Sequence, residues 1–269
     1  MITLTAYEKI NLFLDITGKR GDGYHLLETV MQSIDLADIV TVEPTDRRIT
    51  VSCSDPTVPE NEGNICFKAA EEFFALAGIK SGADIRIEKR IPHGAGLGGG
   101  SADAAAVLRG LNILFGEPLD ENTLLELGAK IGADVPFCMV GGTKICRGIG
   151  EEMADETPYT HTHYIIVKPD FGCNTKAAYQ KYDSAPVTRR ERRGNEFYNV
   201  FRALYNNEHL DAIVQKLIEL GADGAELTGS GSAIFGAFSD EKAAADAARE
   251  FPDCFSAVCK PVSHGIIAI

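Results

Sequence analysis

The glycine-rich segment at residues 92–106 has the clearest chemical potential in the sequence, with five glycines within seven positions. Glycine loses more backbone entropy on folding than other residues, so this density is costly inside a regular element. The alanine-rich stretch that follows predicts a helix from about Ser101 to Phe115. Amides leading into a helix N-terminus attract anions, because the N–H groups and the helix dipole both favour negative charge. The segment therefore predicts a phosphate-binding loop, with a tight turn or a flexible linker as the alternative.

Two familiar phosphate-loop patterns do not account for this segment. Residues 94–99 satisfy Gly-x-Gly-x-x-Gly, but a dinucleotide site also needs an acidic residue ending a second parallel strand about twenty residues later. The chain has a predicted helix in that interval. The Walker pattern fails because no lysine follows Gly99 or Gly100. The loop therefore belongs to another class of phosphate site.

The elements that must position this loop are a mixture of strands and helices. Alternating apolar residues predict strands in much of the first ninety residues, and glycines make residues 136–150 look extended. Predicted helices cover residues 64–77, 101–115, 120–131, a segment near 175, 210–220 and 240–250, and later strands cover 163–167, 225–238 and 255–262. The polar stretch 150–158 predicts a domain boundary. We therefore expect an α+β fold with domains at residues 1–155 and 156–269.

Composition excludes several classes of protein. The chain has 269 residues, with 26 Lys and Arg against 39 Asp and Glu, which gives a net charge of −13. This charge argues against a broad nucleic-acid or membrane surface. The seven cysteines include no Cys-x-x-Cys pair, which disfavours a zinc site, and no apolar run is long enough to span a bilayer. We expect a cytoplasmic protein that acts on a small molecule and is a monomer or a weak homodimer.

Three segments in order resemble the motifs of the GHMP kinase superfamily, which includes galactokinase, homoserine kinase and mevalonate kinase. They are Lys9–Leu14, the glycine-rich segment from Pro92 to Ser101, and Leu227–Gly236. The resemblance implies an N-terminal domain like ribosomal protein S5 and a C-terminal ferredoxin-like domain. It places the active site in the cleft between them.

Two further segments, Thr17–Thr29 and Gly132–Phe137, resemble the diphosphocytidyl-methylerythritol kinases within that superfamily. This resemblance implies transfer of the γ-phosphate of ATP to the 2-hydroxyl of 4-diphosphocytidyl-2-C-methyl-D-erythritol, in non-mevalonate isoprenoid biosynthesis. One departure is Glu8, where that family usually has a small residue before the lysine. Residues 181–208 do not align, so no function is transferred from them.

The same resemblance implies roles for individual residues. Lys9 and Asp134 are the implied catalytic pair, in which Asp134 accepts or orients the hydroxyl proton. The alternatives are a solvated strand lysine and a turn carboxylate. The implied ATP contacts are Pro92, His93, Gly94, Ala95, Gly96, Leu97, Gly98, Gly99, Gly100, Ser101, Ala102 and Asn64. Ser101 is also the implied ligand of Mg²⁺, which is expected because ATP arrives as its magnesium complex.

The implied acceptor contacts are Asn11, Tyr24, His25 and Tyr179. An aromatic face can stack on a pyrimidine and an imidazole can hydrogen-bond its edge, so we expect cytosine to lie between Tyr24 and Tyr179. Packing of Tyr179 against the core is the alternative for that residue, and a helix cap is the alternative for Asn64.

Two other functions are compatible with parts of this pattern. A GHMP kinase for homoserine or mevalonate would share the glycine loop, but its acceptor has no base to stack on Tyr24. An RNA-binding module would share the S5-like fold, because fold does not determine function. That module would need a basic face, and the only dense basic cluster, residues 189–193, contains Glu191 and lies in the other predicted domain.

Overall fold

The computed structural model describes residues 1–159, 161 and 163–269. The strands are β1 (Ile2–Lys19), β2 (His25–Thr45), β3 (Thr50–Cys53), β4 (Gly82–Glu88), β5 (Thr143–Arg147), β6 (Glu152–Asp155), β7 (His163–Lys168), β8 (Tyr198–Asn199), β9 (Gly224–Leu227), β10 (Ile234–Phe238), β11 (Phe255–Cys259) and β12 (Ile266–Ala268). The helices are α1 (Ile65–Ala77), α2 (Gly99–Leu114), α3 (Glu121–Ile131), α4 (Val135–Val140), α5 (Thr175–Ser184), α6 (Val200–Tyr205), α7 (Glu208–Glu219) and α8 (Glu241–Ala248). None of these helices is both long and apolar enough to cross a bilayer.

The first sheet is built on the long antiparallel hairpin of β1 and β2. Its strand order is β12-β1-β2-β4-β3, with β5 paired to β2, β6 to β5 and β8 to β1. The register of β1 shifts between Tyr7 and Glu8 and again between Asn11 and Phe13. Residues 8–14 are buried on both faces of the sheet, because helices cover one face and the second part of the chain covers the other. The regular alternation of a β-strand, which would place Lys9, Asn11 and Phe13 on one face, is therefore interrupted.

Helix α2 lies at the centre of the first core. Its alanines are fully buried, and it packs so closely on β1 that a Cβ at Gly110 would lie 2.9 Å from Leu4 Cδ1. A helix that is apolar around most of its circumference is typically enclosed by other elements. Small residues therefore allow α2 to approach the sheet, which carries its N-terminus to the cavity described below.

The second sheet has the order β11-β7-β10-β9, with every neighbouring pair antiparallel. With α5 to α7 after its first strand and α8 after its third, this sheet has the β-α-β-β-α-β pattern of a ferredoxin-like unit. The expected α+β class is confirmed. The two short strands β8 and β12 lie after residue 155 yet join the first sheet. The division at residues 155 and 156 stays a prediction, and these strands cross it.

The expectation of an extended chain over residues 136–150 is wrong for its first part, which is helix α4. Pro136 lies in the first turn of this helix, where its missing N–H removes no helical hydrogen bond. The helix ends at Gly141, whose φ of 72° is in the left-handed region that favours glycine. A Cβ there would lie 2.0 Å from the nitrogen of Gly265. The glycines of this segment therefore mark the end of a helix and a close backbone approach.

Candidate functional site

A cavity of about 690 Å³ opens between the two sheets. Strand β1, the glycine loop, the start of α2, the turn before α4, helix α5 and the turn after β9 all contribute to its wall. The sequence-predicted residues that line it are Lys9, Asn11, Tyr24, His25, Pro92, His93, Gly94, Ala95, Gly96, Leu97, Gly98, Gly99, Gly100, Ser101, Asp134 and Tyr179. Asn64 and Ala102 are not in the lining.

The glycine loop adopts a conformation that requires its glycines. Gly94, Gly96 and Gly98 have φ values of 69°, 79° and 85°, all left-handed. A Cβ at Gly96 would lie 2.3 Å from the carbonyl oxygen of Thr228, so no other side chain fits there without backbone movement. The loop ends at Gly98, and α2 begins at Gly99. The amides of this helix start therefore border the cavity, in the arrangement that favours an anion.

Lys9 is a buried lysine directed at the glycine loop. Its side chain is 3% exposed, and its Nζ donates to Asn11 Oδ1 and to the carbonyl oxygen of Gly96, both at 2.8 Å. The same Nζ lies 3.6 Å from Asp134 Oδ2. The alternative of a solvated strand lysine does not describe this environment. The ammonium group is held between the loop and a carboxylate, where it can meet a phosphate bound at the loop.

Asp134 is the residue before α4, with φ −85° and ψ −11°, and its side chain makes no capping hydrogen bond. The side chain is 32% exposed and lines the cavity beside Lys9. A carboxylate that is partly solvated and paired with a buried ammonium can accept a proton from a hydroxyl placed next to it. Asp134 therefore lies in a turn, as the alternative interpretation has it. Its side chain is nevertheless available to a ligand in the cavity.

Asn11 connects strand β1 to the turn after β9 and, through Lys9, to the glycine loop. Its Oδ1 accepts from Lys9 Nζ and, at 2.9 Å, from the backbone nitrogen of Gly229, while its Nδ2 donates to Thr29 Oγ1 at 2.9 Å. Its backbone nitrogen donates to Thr228 Oγ1 at 3.0 Å, and the side chain is almost fully buried. These hydrogen bonds hold the side chain of Asn11 in place, and Asn11 in turn orients the ammonium group of Lys9. A direct contact between Asn11 and an acceptor, which the sequence predicts, stays a prediction.

A buried charge cluster below the glycine loop was not assigned from the sequence. Lys89 Nζ donates to Asp103 Oδ2 at 2.8 Å and also contacts Asp38 Oδ2, and all three side chains are at most 4% exposed. Burial raises the pKa of Asp103 to about 7 despite the charge of Lys89. Burial alone would lower the pKa of Lys89, but the neighbouring carboxylates raise it. An acidic residue in the first turns of α2 was the available signal. Its lysine partner precedes the glycine loop and lies outside the helix, so helical spacing does not reveal the pair.

Glu8 lies beside this cluster with its carboxyl group fully buried. Neither of its oxygens has a hydrogen-bond partner within the part of the chain that the structure describes. Burial raises the pKa of Glu8 well above its ordinary value of 4.5, while Lys89 acts in the opposite direction. The unfavourable form is the ionised one, because a buried charge without hydrogen bonds loses its hydration.

The substitution Glu8→Gln is expected to stabilise the protein increasingly as the pH rises. The folded protein binds a proton at Glu8 more tightly than the unfolded chain, so the stability from this protonation is present below the unfolded pKa and is lost as pH rises through the folded pKa. Urea unfolding from about pH 5 to about pH 8 measures this. Glu71→Gln, on the exposed side of α1, is the matched control. Equal pH dependence of wild type and Glu8→Gln would contradict the prediction.

The acceptor side of the cavity is formed by the β1–β2 turn and helix α5. Tyr24 is 61% exposed at the tip of the turn, and His25 stacks on Tyr179 with ring centroids 4.7 Å apart and an interplanar angle of 25°. Tyr179 also packs in a T-shaped arrangement with Phe201, with ring centroids 5.1 Å apart. The expected sandwich between Tyr24 and Tyr179 stays a prediction.

Several lining residues were not predicted from sequence. They include Thr175, Lys176, Gln180 and Asp183 on α5, Ser230 in the turn after β9, and Lys89 before the glycine loop. Four of them repeat at helical spacing around Tyr179, which is the signal that could have found them. Thr175 Oγ1 and Ser230 Oγ share a 2.7 Å hydrogen bond that joins the two segments.

Asn64 caps the start of helix α1, which is the alternative that the sequence analysis gave to an ATP contact. Its Oδ1 accepts from the backbone nitrogen of Cys66 at 2.9 Å, and its Nδ2 donates to the carbonyl oxygen of Pro59 at 2.8 Å. Both polar ends of the side chain are thus used at the start of α1, outside the cavity. The predicted contact between Asn64 and ATP has no support from this geometry.

A magnesium ion at this site would be held by Ser101 together with phosphates of a ligand. No group of three or more His, Cys, Asp or Glu side chains suited to a metal occurs within the described ranges. Ser101 lines the cavity in the first turn of α2, and its hydroxyl makes no hydrogen bond to any described residue. Mg²⁺ is commonly bound by one or two protein oxygens together with substrate phosphates and water. Ser101 fits that pattern.

Comparison with known proteins agrees with this geometry. Residues 64–142 match the family described as GHMP kinases N terminal domain, and residues 192–257 match GHMP kinases C terminal. The chain is 42% identical to a 4-diphosphocytidyl-2-C-methyl-D-erythritol kinase of Clostridium botulinum (strain Eklund 17B / Type B), covering 89% of this chain and 91% of that protein. It is 40% identical to the same enzyme of Clostridium tetani, covering 95% and 97%.

Solved structures give the same result. A crystal structure of 4-(cytidine 5'-diphospho)-2C-methyl-D-erythritol kinase superposes with a TM-score of 0.77 and 30% identity, covering 96% of this chain and 99% of that one. A homoserine kinase from Cytophaga hutchinsonii superposes with a TM-score of 0.77 at 19% identity, covering 100% and 97%, which shows the fold alone. The protein therefore belongs to the GHMP kinases, within the family of 4-diphosphocytidyl-2-C-methyl-D-erythritol kinases.

Proposed function

We propose that the protein transfers the γ-phosphate of ATP to the 2-hydroxyl of 4-diphosphocytidyl-2-C-methyl-D-erythritol. The observation that carries this proposal is the convergence of three features on one cavity: the glycine loop, the Lys9–Asp134 pair, and the aromatic group of Tyr24, His25 and Tyr179. The relatives named for this activity match nearly the whole chain. The reaction would belong to non-mevalonate isoprenoid biosynthesis.

Transfer begins with the two reactants held in line across the cavity. The glycine loop would bind the phosphates of ATP through the amides at the start of α2. A magnesium ion, held by Ser101 together with the phosphates, would offset their charge. Lys9 would add a fixed positive charge at the γ-phosphoryl group, where it costs no reorganisation during the reaction.

The bond changes are simple. The acceptor hydroxyl oxygen forms a bond to the γ-phosphorus as the bond to the β,γ-bridging oxygen breaks, and ADP leaves with that electron pair. The hydroxyl proton passes to Asp134 Oδ2, which lies 3.6 Å from Lys9 Nζ. The ammonium group of Lys9 lies beside this carboxylate and also donates to the glycine loop, so the pair joins the acceptor to the phosphate site. Asp134 thus orients and deprotonates the acceptor.

The cytidine end of the acceptor would lie against Tyr24 and His25, with its diphosphate directed towards the first turn of α5. Lys176 is exposed in that turn and lines the cavity, so it offers a positive charge to the diphosphate. These local charges allow a chain with a net charge of −13 to bind two polyanions.

The proposal is tested by following ATP consumption with purified protein and three acceptors: the cytidylated sugar alcohol, homoserine and mevalonate. Phosphorus NMR of the product checks which hydroxyl is modified. We expect turnover with the cytidylated acceptor, at a kcat/KM well above the values for the other two. Preferential turnover of homoserine or mevalonate would contradict the proposed substrate.

Removing the aromatic ring at Tyr24 is expected to weaken acceptor binding. Base stacking on an aromatic side chain is worth about 1–3 kcal/mol, so Tyr24→Ala should raise KM for the cytidylated acceptor roughly tenfold to a hundredfold. Tyr24→Phe, which keeps the ring, is the matched control and should remain near wild type. The KM for ATP should change little in either variant. An unchanged acceptor KM in Tyr24→Ala would remove Tyr24 from the site.

The RNA-binding alternative receives no support from the basic segment. Arg190 pairs with Glu196 at 3.0 Å, Arg192 pairs with Glu156 at 2.5 Å, and Arg189 lies 3.9 Å from Glu28. These carboxylates neutralise much of the cluster, whereas a nucleic-acid surface needs unpaired cations. Salt-sensitive RNA binding without ATP turnover would favour the alternative.

A further inference from the structure

Helix α5 holds the imidazole ring of His25 from three directions. Tyr179 stacks on its face at 4.7 Å, the ring of Tyr182 meets it edge-on at 5.9 Å, and Asp183 Oδ1 lies 2.8 Å from its Nε2. His25 itself begins strand β2, far from α5 in sequence. The side chain is 9% exposed, so both the position and the rotation of the ring are determined by the helix.

The contact with Asp183 also determines which ring nitrogen carries the proton. Asp183 is ionised at neutral pH, because hydrogen bonds from Lys19 and from His25 lower its pKa. A carboxylate accepts, so Nε2 must donate, and a neutral ring then has an unprotonated Nδ1. Nδ1 makes no hydrogen bond to any residue in the described ranges, and His25 lines the cavity. The ring therefore offers an acceptor to a ligand.

We propose that Asp183 is a positioning residue that fixes His25 in the Nε2–H tautomer, so that the site selects a cytosine base over uracil. This inference rests on the proposed function. Cytosine has an amino group at position 4, which donates, whereas uracil has a carbonyl oxygen there, which accepts. His25 Nδ1 accepts a hydrogen bond from the amino group and repels the carbonyl oxygen.

The geometry of the stack agrees with this assignment. A base that is hydrogen-bonded edge to edge with His25 shares the plane of the imidazole ring. That plane is within 25° of the Tyr179 ring, so the base also lies nearly parallel to Tyr179. The exposed ring of Tyr24 is then available for its other face. One helix therefore supplies both an aromatic ring parallel to the base and the control of the hydrogen bond.

The substitution Asp183→Asn gives a sharp test, because the neighbouring Lys19 determines how the amide is oriented. In the wild type Lys19 Nζ donates to Asp183 Oδ2 at 2.7 Å. In the variant the ammonium takes the only carbonyl oxygen, which turns the amide NH₂ towards His25 Nε2. Nε2 must then accept, and the proton moves to Nδ1. We expect the preference for cytosine, measured as the ratio of kcat/KM for cytidylated and uridylated acceptors, to fall roughly tenfold to a hundredfold.

Two further variants separate tautomer control from simple structural support. Lys19→Met keeps the Asp183–His25 hydrogen bond and should keep the cytosine preference, although it removes an ion pair at the same carboxylate. Asp183→Ala removes both contacts and should lower the preference without reversing the tautomer completely. In all three variants the KM for ATP should change less than the acceptor KM, because Asp183 contacts neither Lys9 nor the glycine loop.

The tautomer is measured directly by long-range proton–nitrogen NMR on histidine-labelled protein at about pH 8, where free imidazole is neutral. A His25→Gln sample assigns the signal. Nε2–H in the wild type and Nδ1–H in Asp183→Asn are the expected results. Nδ1–H in the wild type, or the same tautomer and the same base preference in Asp183→Asn, would overturn the inference. Absence of turnover with the cytidylated acceptor would instead count against the proposed function.

Discussion

Lys9→Met is expected to lower kcat about 10²- to 10³-fold while the protein remains folded. Methionine replaces most of the buried apolar part of the side chain but removes the ammonium group that faces the glycine loop. The charge that develops on the phosphoryl group then has no fixed cation beside it. Steady-state assays with ATP and the cytidylated acceptor measure the effect, with Lys80→Met, an exposed lysine away from the cavity, as the matched control.

The same substitution has a structural cost that must be separated from catalysis. The oxygens of Asn11 and Gly96 lose the hydrogen bond from Lys9 Nζ but keep other donors, and a hydrogen bond from a charged group is worth about 1.5–3 kcal/mol. We therefore expect a lower melting temperature together with an unchanged circular dichroism spectrum at 25 °C. A kcat within a few-fold of wild type in the folded variant would remove Lys9 from catalysis.

Asp134→Asn is expected to lower kcat about 10²- to 10⁴-fold, the range typical of losing a general base. The amide has the shape of the carboxylate, but it does not accept the hydroxyl proton. The side chain is one-third exposed and caps no helix nitrogen, so the melting temperature should stay close to wild type. Asp46→Asn, in an exposed turn of the first sheet, is the matched control.

Binding measurements distinguish the role of Asp134 from general damage to the cavity. Calorimetric titration of Asp134→Asn with the non-hydrolysable analogue of ATP should give an affinity near wild type, because the glycine loop is untouched. An equal loss of ATP affinity and kcat would point to a disturbed loop and would contradict the general-base role.

Some elements could be predicted because a short stretch of sequence is enough to specify them. Residues that are close together in sequence specify the glycine-rich segment, the alanine-rich helix and the turn before Tyr24. The same holds for helix α1, which has Asn64 as the cap at its start and the left-handed Gly78 as the cap at its end. The helical start of residues 136–150 was missed because the tertiary environment, rather than glycine content, decides where a short helix forms.

The sequence could not predict which charged residues pair with each other. Lys89 and Asp103, like His25 and Asp183, are brought together from separate elements. Sequence spacing has no information on such pairs, because the sheets and helices that carry them are positioned by burial of apolar surface, which is not directional. Strand β12, near the far end of the chain, also pairs with β1. The first sheet therefore includes residues from both sides of the predicted domain division.

The sequence by itself determined the chemical class of this protein: a phosphate-binding loop before a helix, a strand lysine, an aspartate in a turn and an aromatic turn for a base. Only the tertiary structure decided which atoms meet. It placed Lys9 between the loop and Asp134, used Asn11 to hold that lysine in place, and set Asp183 against His25. The physical reason is that residue type sets what a group can do, whereas packing of the two sheets sets its neighbours and burial.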